Sequence, residues 1–367
     1  MDVGRSDQVS SFLMFFLIHS IQIGVGILGF ERAIILQAGN DAWMVVIIAG
    51  LLFNGVIWMM YALLKNDQSD LADLHRNYFG KWVGGFLTLI WSAYWFAMGI
   101  TVIRTYMEVV QTWMFKEISV FFFSLILVLL VYYGLSGGFR IVAGICFLGV
   151  VVPFYLILTF IFPFKYAHFH NLLPIFNHSI NQMLMGTKNM TLSYLGISTF
   201  MMFYPYIKDP EKSQKWAHFG NFLTMFIYLF VIITAIAYYS EAQIVKQIWA
   251  TLYMWKIVSM PFVERFEYIG ITSWVLVILP NVCLSLWAAV NGSAKIFKIS
   301  PKIMLFIFML LALICCTLLN GKNQIELLNK YLSLAGLILI SMYLPVLLII
   351  TKIIAKVRRG RSLKSGS

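Results

Sequence analysis

From Phe12 to Ile354 the sequence is a succession of apolar runs, most of them about 20 residues long, separated by polar connectors. That pattern constrains the fold more than any motif in the chain. Runs of this length match the hydrocarbon thickness of a bilayer, where backbone polar groups must be satisfied within the protein itself. Helices follow. Composition excludes the soluble alternative, since 61% of the 367 residues are hydrophobic and 11% charged. Soluble domains run at about 45–50% apolar and about 25% charged. The expected fold is an all-α polytopic membrane protein, one transmembrane domain over 1–367.

The pattern predicts ten spans, at approximately 10–36, 41–64, 82–108, 118–136, 140–163, 183–206, 216–240, 268–291, 302–320 and 330–355. Breakers fill the turns between them: Gly39-Asn40-Asp41, Gly134 to Gly138, Asp209-Pro210 and Gly321-Lys322-Asn323. Met1 to Ser10 lacks the basic region and cleavage site of a signal peptide, so the first run is expected to stay as a membrane helix. The net charge of +12 reports orientation rather than nucleic-acid binding, because the basic residues sit in connectors and in the tail. With the N-terminus cytoplasmic, 17 of the 27 Lys and Arg fall on that side. They are Arg5, Lys65, Arg76, Lys81, Arg140, Lys208, Lys212, Lys215, Lys295, Lys298 and Lys302, then Lys352, Lys356, Arg358, Arg359, Arg361 and Lys364. Both termini inside is the expected arrangement.

Two connectors are long. One runs from Lys165 to Gln182; the other, from Glu241 to Glu267, is amphipathic and carries Trp249 and Trp255, as interface helices do. Five spans, a long outer loop, then five spans is the layout of a transporter built from an inverted repeat. The expected division is a first repeat at 1–163, an outer loop at 164–182, a second repeat at 183–355 and a basic cytoplasmic tail at 356–367.

In such a fold the ligand sits near the midplane, against interrupted helices. The first span carries Gly24, Gly26 and Gly29, each costing about 1 kcal/mol in a helix interior. Two accounts fit: an unwound point that offers its backbone to a polar ligand, or close helix packing by small residues. The corresponding sixth span is also interrupted, by Gly186-Thr187-Lys188-Asn189 and by Ser193, Gly196, Ser198 and Thr199. The matched pair favours the break. Half-helix ends attract a carboxylate at one side and a cation at the other, which suits an amino acid; side-chain hydrogen bonds could instead hold a polyol or sugar.

Other spans add candidates. Trp91, Tyr94, Trp95, Met98 and Thr101 form a stripe on the third span, from which Tyr94 and Met98 are taken as ligand residues. Asn281 and Ser285 share a face of the eighth span beside Pro280, with pairing of Asn281 to a neighbouring helix as the bland account. Glu31 with Arg32, and Arg104 with Glu108, close the outer ends of the first and third spans, and mutual pairing as a gate or clasp is expected. Lys188 is read as snorkelling, with a proton relay as the sharper reading. His19 is read as a packing histidine, and Cys146, Cys283, Cys315 and Cys316 as buried small hydrophobes. No phosphate-cradling loop, HExxH or nucleophile elbow is present, so neither an enzyme nor a cofactor is expected.

Several local motifs resemble one family over essentially the whole chain. They are Gly24-Val25-Gly26-Ile27-Leu28, Ala38-Gly39-Asn40-Asp41-Ala42-Trp43, Gly80-Lys81-Trp82-Val83-Gly84 and Asn171-Leu172-Leu173-Pro174. Glu264-Arg265-Phe266-Glu267 followed by Trp274, and Asn291-Gly292, complete the set. The sequence resembles the GerAB-type spore germination proteins, B subunits of nutrient germinant receptors, in the amino acid/polyamine/organocation transporter superfamily. The resemblance implies a LeuT-like fold with discontinuous first and sixth helices. It also implies a sensor in the spore inner membrane that works with an A subunit and a lipoprotein C subunit. Glu264, Arg265 and Glu267 enter as candidate ion-pair residues on that ground. Glu31-Arg32 stands where the family often has Pro-Arg, and Ser198 where a Glu is common, so the ligand is not carried over from a relative. An ion-coupled amino acid permease is the alternative function, and an ion or water pathway within a larger receptor is a third.

Overall fold

The polar residues flanking the apolar runs act as helix punctuation. Asp70 accepts from the Asp73 N–H at 3.0 Å, Ser300 caps the helix begun by Pro301, and Pro210 opens another at a position that needs no N–H. Ser179 and Gln182 form a capping box, the Ser179 N–H donating to Gln182 Oε1 at 2.8 Å. These features belong to a computed structural model that describes residue 4 and residues 7–65, 69–259, 263–319 and 321–364, with side chains as far as Val357. Arg5 therefore lies outside the described residues, as do the side chains of Arg358, Arg359, Arg361 and Lys364.

The helices in chain order begin with α1 (Met14–Gln22), α2 (Phe30–Ala38), α3 (Ala42–Leu64), α4 (Leu71–Trp113), α5 (Val120–Ser136) and α6 (Phe139–Val151). Short pieces α7 (Tyr155–Leu158) and α8 (Ile161–Phe164) follow, then α9 (Ile180–Thr191), α10 (Phe200–Phe203) and α11 (Pro210–Tyr238). The second long connector holds α12 (Glu241–Lys246) and α13 (Ala250–Trp255). The chain ends with α14 (Phe266–Phe297), α15 (Pro301–Leu318), α16 (Lys322–Ile338) and α17 (Leu344–Lys364). Among the described residues β structure is confined to isolated bridges, one of them between Val9 and Ile207.

Seven helical segments among the described residues are long and apolar enough to cross a membrane: Phe30–Leu64, Leu71–Trp113, Phe139–Phe164, Pro210–Tyr238, Phe266–Phe297, Pro301–Leu318 and Lys322–Val357. The chain is an all-α protein with the architecture of a polytopic membrane protein. Seven is fewer than the ten spans expected. Of the predicted ten, the fourth is a 17-residue helix, α5, and the first and sixth are interrupted within their apolar runs. α5 falls just short of the seven in length, and backbone breaks divide the other two.

α14 is the centre of the packing. It lies along α4, with 67% of its apolar window buried, whereas α15 is peripheral at 28%. Around this pair α1 packs on α11, α6 and α14, α3 on α11, and α2 on α9. Side chains such as Leu52, Phe86, Ile126, Phe226 and Ile303 point outward and remain exposed, as lipid-facing surface does.

Polar contacts collect at two ends. At one, Val9 and Lys208 exchange backbone hydrogen bonds with Tyr206 and Val9, Arg140 Nε donates to Gln8 O at 3.2 Å, and Lys65 pairs with Glu211 at 3.1 Å. Lys295 reaches Asp70 and, at 2.5 Å, Asp73. The other end holds the long connectors. There the Asp41 carboxylate accepts from the N–H groups of Phe176 and Asn177, both at 2.8 Å, and of His178 at 3.1 Å.

Candidate functional site

α1 stops at Gln22, where Ile23 turns extended, and a tight 3₁₀ turn over Val25–Leu28 leads through Gly29 into α2. A broken helix strands carbonyls at the end of one piece and N–H groups at the start of the next. Side chains from three other helices take up the carbonyls. Asn281 Nδ2 donates to Ser20 O at 2.5 Å and Ile23 O at 2.8 Å. Tyr228 Oη reaches Gln22 O at 3.2 Å, Trp274 Nε1 reaches Gly24 O at 3.3 Å, and Thr251 Oγ1 lies 2.9 Å from Ile27 O. The break is a built feature.

The sixth segment breaks differently. α9 gives way to an eight-residue 3₁₀ stretch, Leu192–Thr199, before α10. Such stretches rarely exceed about three or four residues, and inside a helix they often mark a functional point. The two interruptions touch. A Cβ on Gly196 would fall 2.7 Å from Ile21 O, so only glycine allows this approach, whereas a Cβ on Gly26 would meet nothing nearer than Ser193 Oγ at 3.8 Å. Gly26 faces open space.

That space is a cavity of about 440 Å³ lined by residues of both breaks and of α4, α14 and α16. Six of the eight predicted ligand residues line it: Gly24, Gly26, Met98, Ser193, Gly196 and Asn281. Tyr94 and Ser285 do not. Tyr94 is buried with its hydroxyl against Gly336, and Ser285 Oγ donates to Asn281 O at 2.7 Å, one turn back in its own helix.

Residues 8–325 match the family model described as "Spore germination protein". The chain belongs to the spore germination protein family. It is 42% identical over 352 residues to spore germination protein GerQB of Bacillus cereus, covering 96% of this chain and 98% of that one. It is 22% identical over 339 residues to spore germination protein A2 of Bacillus subtilis (strain 168), covering 89% and 90%. Spore germination protein YndE of the same organism is 21% identical over 340 residues, covering 91% and 93%. Membership of this family agrees with a non-enzymatic role. Among the described residues there is also no group of three or more His, Cys, Asp or Glu placed to hold a metal ion.

In this family member the expected gate pairs do not form among the described residues. Glu31 is fully buried, with Oε1 2.5 Å from Thr251 Oγ1 and Oε2 without a partner. Arg32 points the other way, is exposed, and donates from Nε to Val245 O at 2.8 Å. Neighbouring residues on a helix do not face each other, which is why the pair fails. Arg104 is buried, with Nη1 2.8 Å from Met107 Sδ and no bridge to Glu108. Arg265 does pair with Glu267, at 3.0 Å, and lies over the Tyr268 ring, while Glu264 is exposed. Lys188 is exposed on α9. His19 Nδ1 lies 2.9 Å from Thr224 Oγ1, a packing contact.

Sequence reasoning missed three parts of the site. Ile248 and Trp249 border the cavity from the connector, where Trp249 was read only as an interface residue. Glu326 and Asn329 line it from α16; the predicted span began at 330, four residues too late to include both. The third is Gln22 on α1, whose Nε2 donates to Asn221 Oδ1 on α11 at 2.8 Å, one turn from the packing contact of His19 with Thr224. Matching three-residue spacings on two apolar helices were the available signal.

Proposed function

We propose that this chain is the B-type membrane subunit of a spore nutrient germinant receptor. It binds a small nutrient, an amino acid by preference, at the two helix breaks and signals to an A subunit and a lipoprotein C subunit. One observation carries the reading: both breaks open onto the same cavity, with Gly26 and Ser193 on facing walls. The N–H groups that open a half-helix favour a carboxylate, while the carbonyls of the first break are already engaged by side chains. Glu326, Asn329 and Thr101 supply further polar groups on the cavity wall.

The proposed architecture is a LeuT-like inverted repeat of five plus five crossings, with repeats at 1–163 and 183–355, the loop 164–182 between them and the tail at 356–367. Support comes from the alternation of the two sets of end contacts along the chain. Residues near 9, 65, 140, 208 and 295 meet at one end, and those near 41, 113, 171, 240 and 322 belong to the other. Lys352 lies over the Trp58 ring, bringing the last helix back to the first end. That end carries the basic connectors, which supports both termini on the core side of the spore inner membrane.

The test is Gly26→Leu against Gly26→Ala. Alanine fits, since its Cβ makes only an ordinary contact, whereas leucine projects into the cavity. Spores carrying the leucine variant at normal membrane levels should lose nutrient-triggered germination, and the alanine variant should keep it. Normal germination by the leucine variant overturns the assignment of the cavity. An ion-coupled amino acid permease is the second reading, favoured by a buried carboxyl, Glu31, beside the first break. Gradient-driven accumulation of labelled amino acid in proteoliposomes would establish it instead.

A further inference from the structure

Arg104 is buried to 1% exposure and makes no ion pair among the described residues. Its Nε has no partner, and Nη1 meets only the Met107 thioether, a weak acceptor. A guanidinium carries five donors in a planar fork suited to a carboxylate. Burying that charge without an anion is costly, and the cost is recovered when an anion arrives. Glu108, one turn along α4, borders the same cavity as Arg104 but forms no ion pair with it.

What Arg104 borders is a second cavity, of about 300 Å³, lined also by Glu108, Lys246, Trp249, Tyr253 and Lys322. Three cations thus border it against one carboxylate. Lys322 is additionally engaged by Glu326 at 3.9 Å, on the rim. The two cavities are stacked end to end. α4 lines the main one with Met98, Thr101 and Thr105 and this one with Arg104, Glu108 and Gln111. α16 continues in the same way, and Ile248 and Trp249 border both.

We infer that the second cavity is a binding site for a small carboxylate, with Arg104 as the residue that holds it. The carboxylate group of a ligand pairs with the Arg104 guanidinium in a bidentate manner, Lys246 adds attraction from the connector, and Trp249 separates this site from the main cavity. The role as an antechamber rests on the proposed function of the main cavity; the binding itself does not.

The test uses the full chain in detergent, with fluorescence of Trp113 and Trp249, which line the site. Acetate, acetamide and chloride are titrated at constant ionic strength and pH. Acetate should give a saturable change and acetamide none. Arg104→Gln should weaken acetate roughly tenfold or more, and Arg104→Lys should retain part of it. An unchanged acetate response in Arg104→Gln overturns the proposal, as does an equal response to acetamide. Equal potency of chloride overturns the carboxylate assignment. If Arg104→Gln fails to fold, Lys246→Gln on the exposed connector decides, with roughly two- to threefold weaker acetate expected and no change overturning it. Loss of acetate binding in a variant that still germinates through the Gly26 cavity would leave the main-cavity reading intact.

Discussion

Asn281 shows how much a single side chain does at the first break. Its amide donates to the Ser20 and Ile23 carbonyls, and its Oδ1 stands where a Cβ on Gly24 would come within 2.9 Å. Removing the amide strands two carbonyls in an apolar interior, a cost of about 1–3 kcal/mol. Asn281→Ala should therefore lower the thermal unfolding midpoint in detergent. Asn281→Asp should lower it further, because a carboxylate offers only acceptors to the carbonyl oxygens. A wild-type midpoint in both variants would show that the amide is not holding the break. At this scale the sequence was legible where chemistry is local. The glycines of the first span announced the break, and Asn281 was expected to matter. Tyr94 and Ser285 shared helix faces with cavity residues, but helical spacing does not report how far a helix is rotated toward its neighbours. Ser285 also found an acceptor within its own helix.

The elements are held by close approaches and end clamps. Where Leu192–Thr199 crosses α1, Gly196 sits against the Ile21 carbonyl. Gly196→Val must push the two broken segments apart, and overpacking of this kind costs about 1–3 kcal/mol. Lower yield and a lower midpoint are expected, together with loss of cavity function. At the opposite end of α14, Lys295 bridges Asp70, itself 4% exposed, and Asp73. Lys295→Met leaves Asp70 without its cation. The loss should be about 2 kcal/mol, below the ~3–5 kcal/mol of a fully buried pair because Lys295 still reaches water. Thermal unfolding at low and high salt checks it. Apolar length is a direct signal and located the long helices, but not their polar ends: α4 begins at Leu71 rather than 82 and α16 at Lys322 rather than 330. Where a 3₁₀ stretch replaces an α-helix is set by what crosses it, as Ile21 crosses Gly196, and that is not written locally.

For the whole molecule, the connectors behave as parts of the membrane unit rather than as loose links. Asp41 accepts three successive N–H groups from Phe176 to His178 and also contacts the His178 ring. Asp41→Ala releases charge-assisted bonds of about 1.5–3 kcal/mol each, spread over a short segment. Hydrogen exchange over 169–178 should accelerate while the helices stay protected; uniform acceleration would point to global unfolding instead. None of this tertiary closure follows from composition. The contacts join residues more than a hundred positions apart.

The roof of the main cavity has a mechanical consequence. Val245 is tied to Arg32, Thr251 to Glu31 and Ile27, and the Ile248 carbonyl occupies the place of a Gly29 side chain. The segment 245–251 and α2 are thus riveted together on the far side of the Gly24–Gly29 joint. Any tilt of α2 about that joint drags the segment with it, so a change at the buried break is written onto the protein's surface.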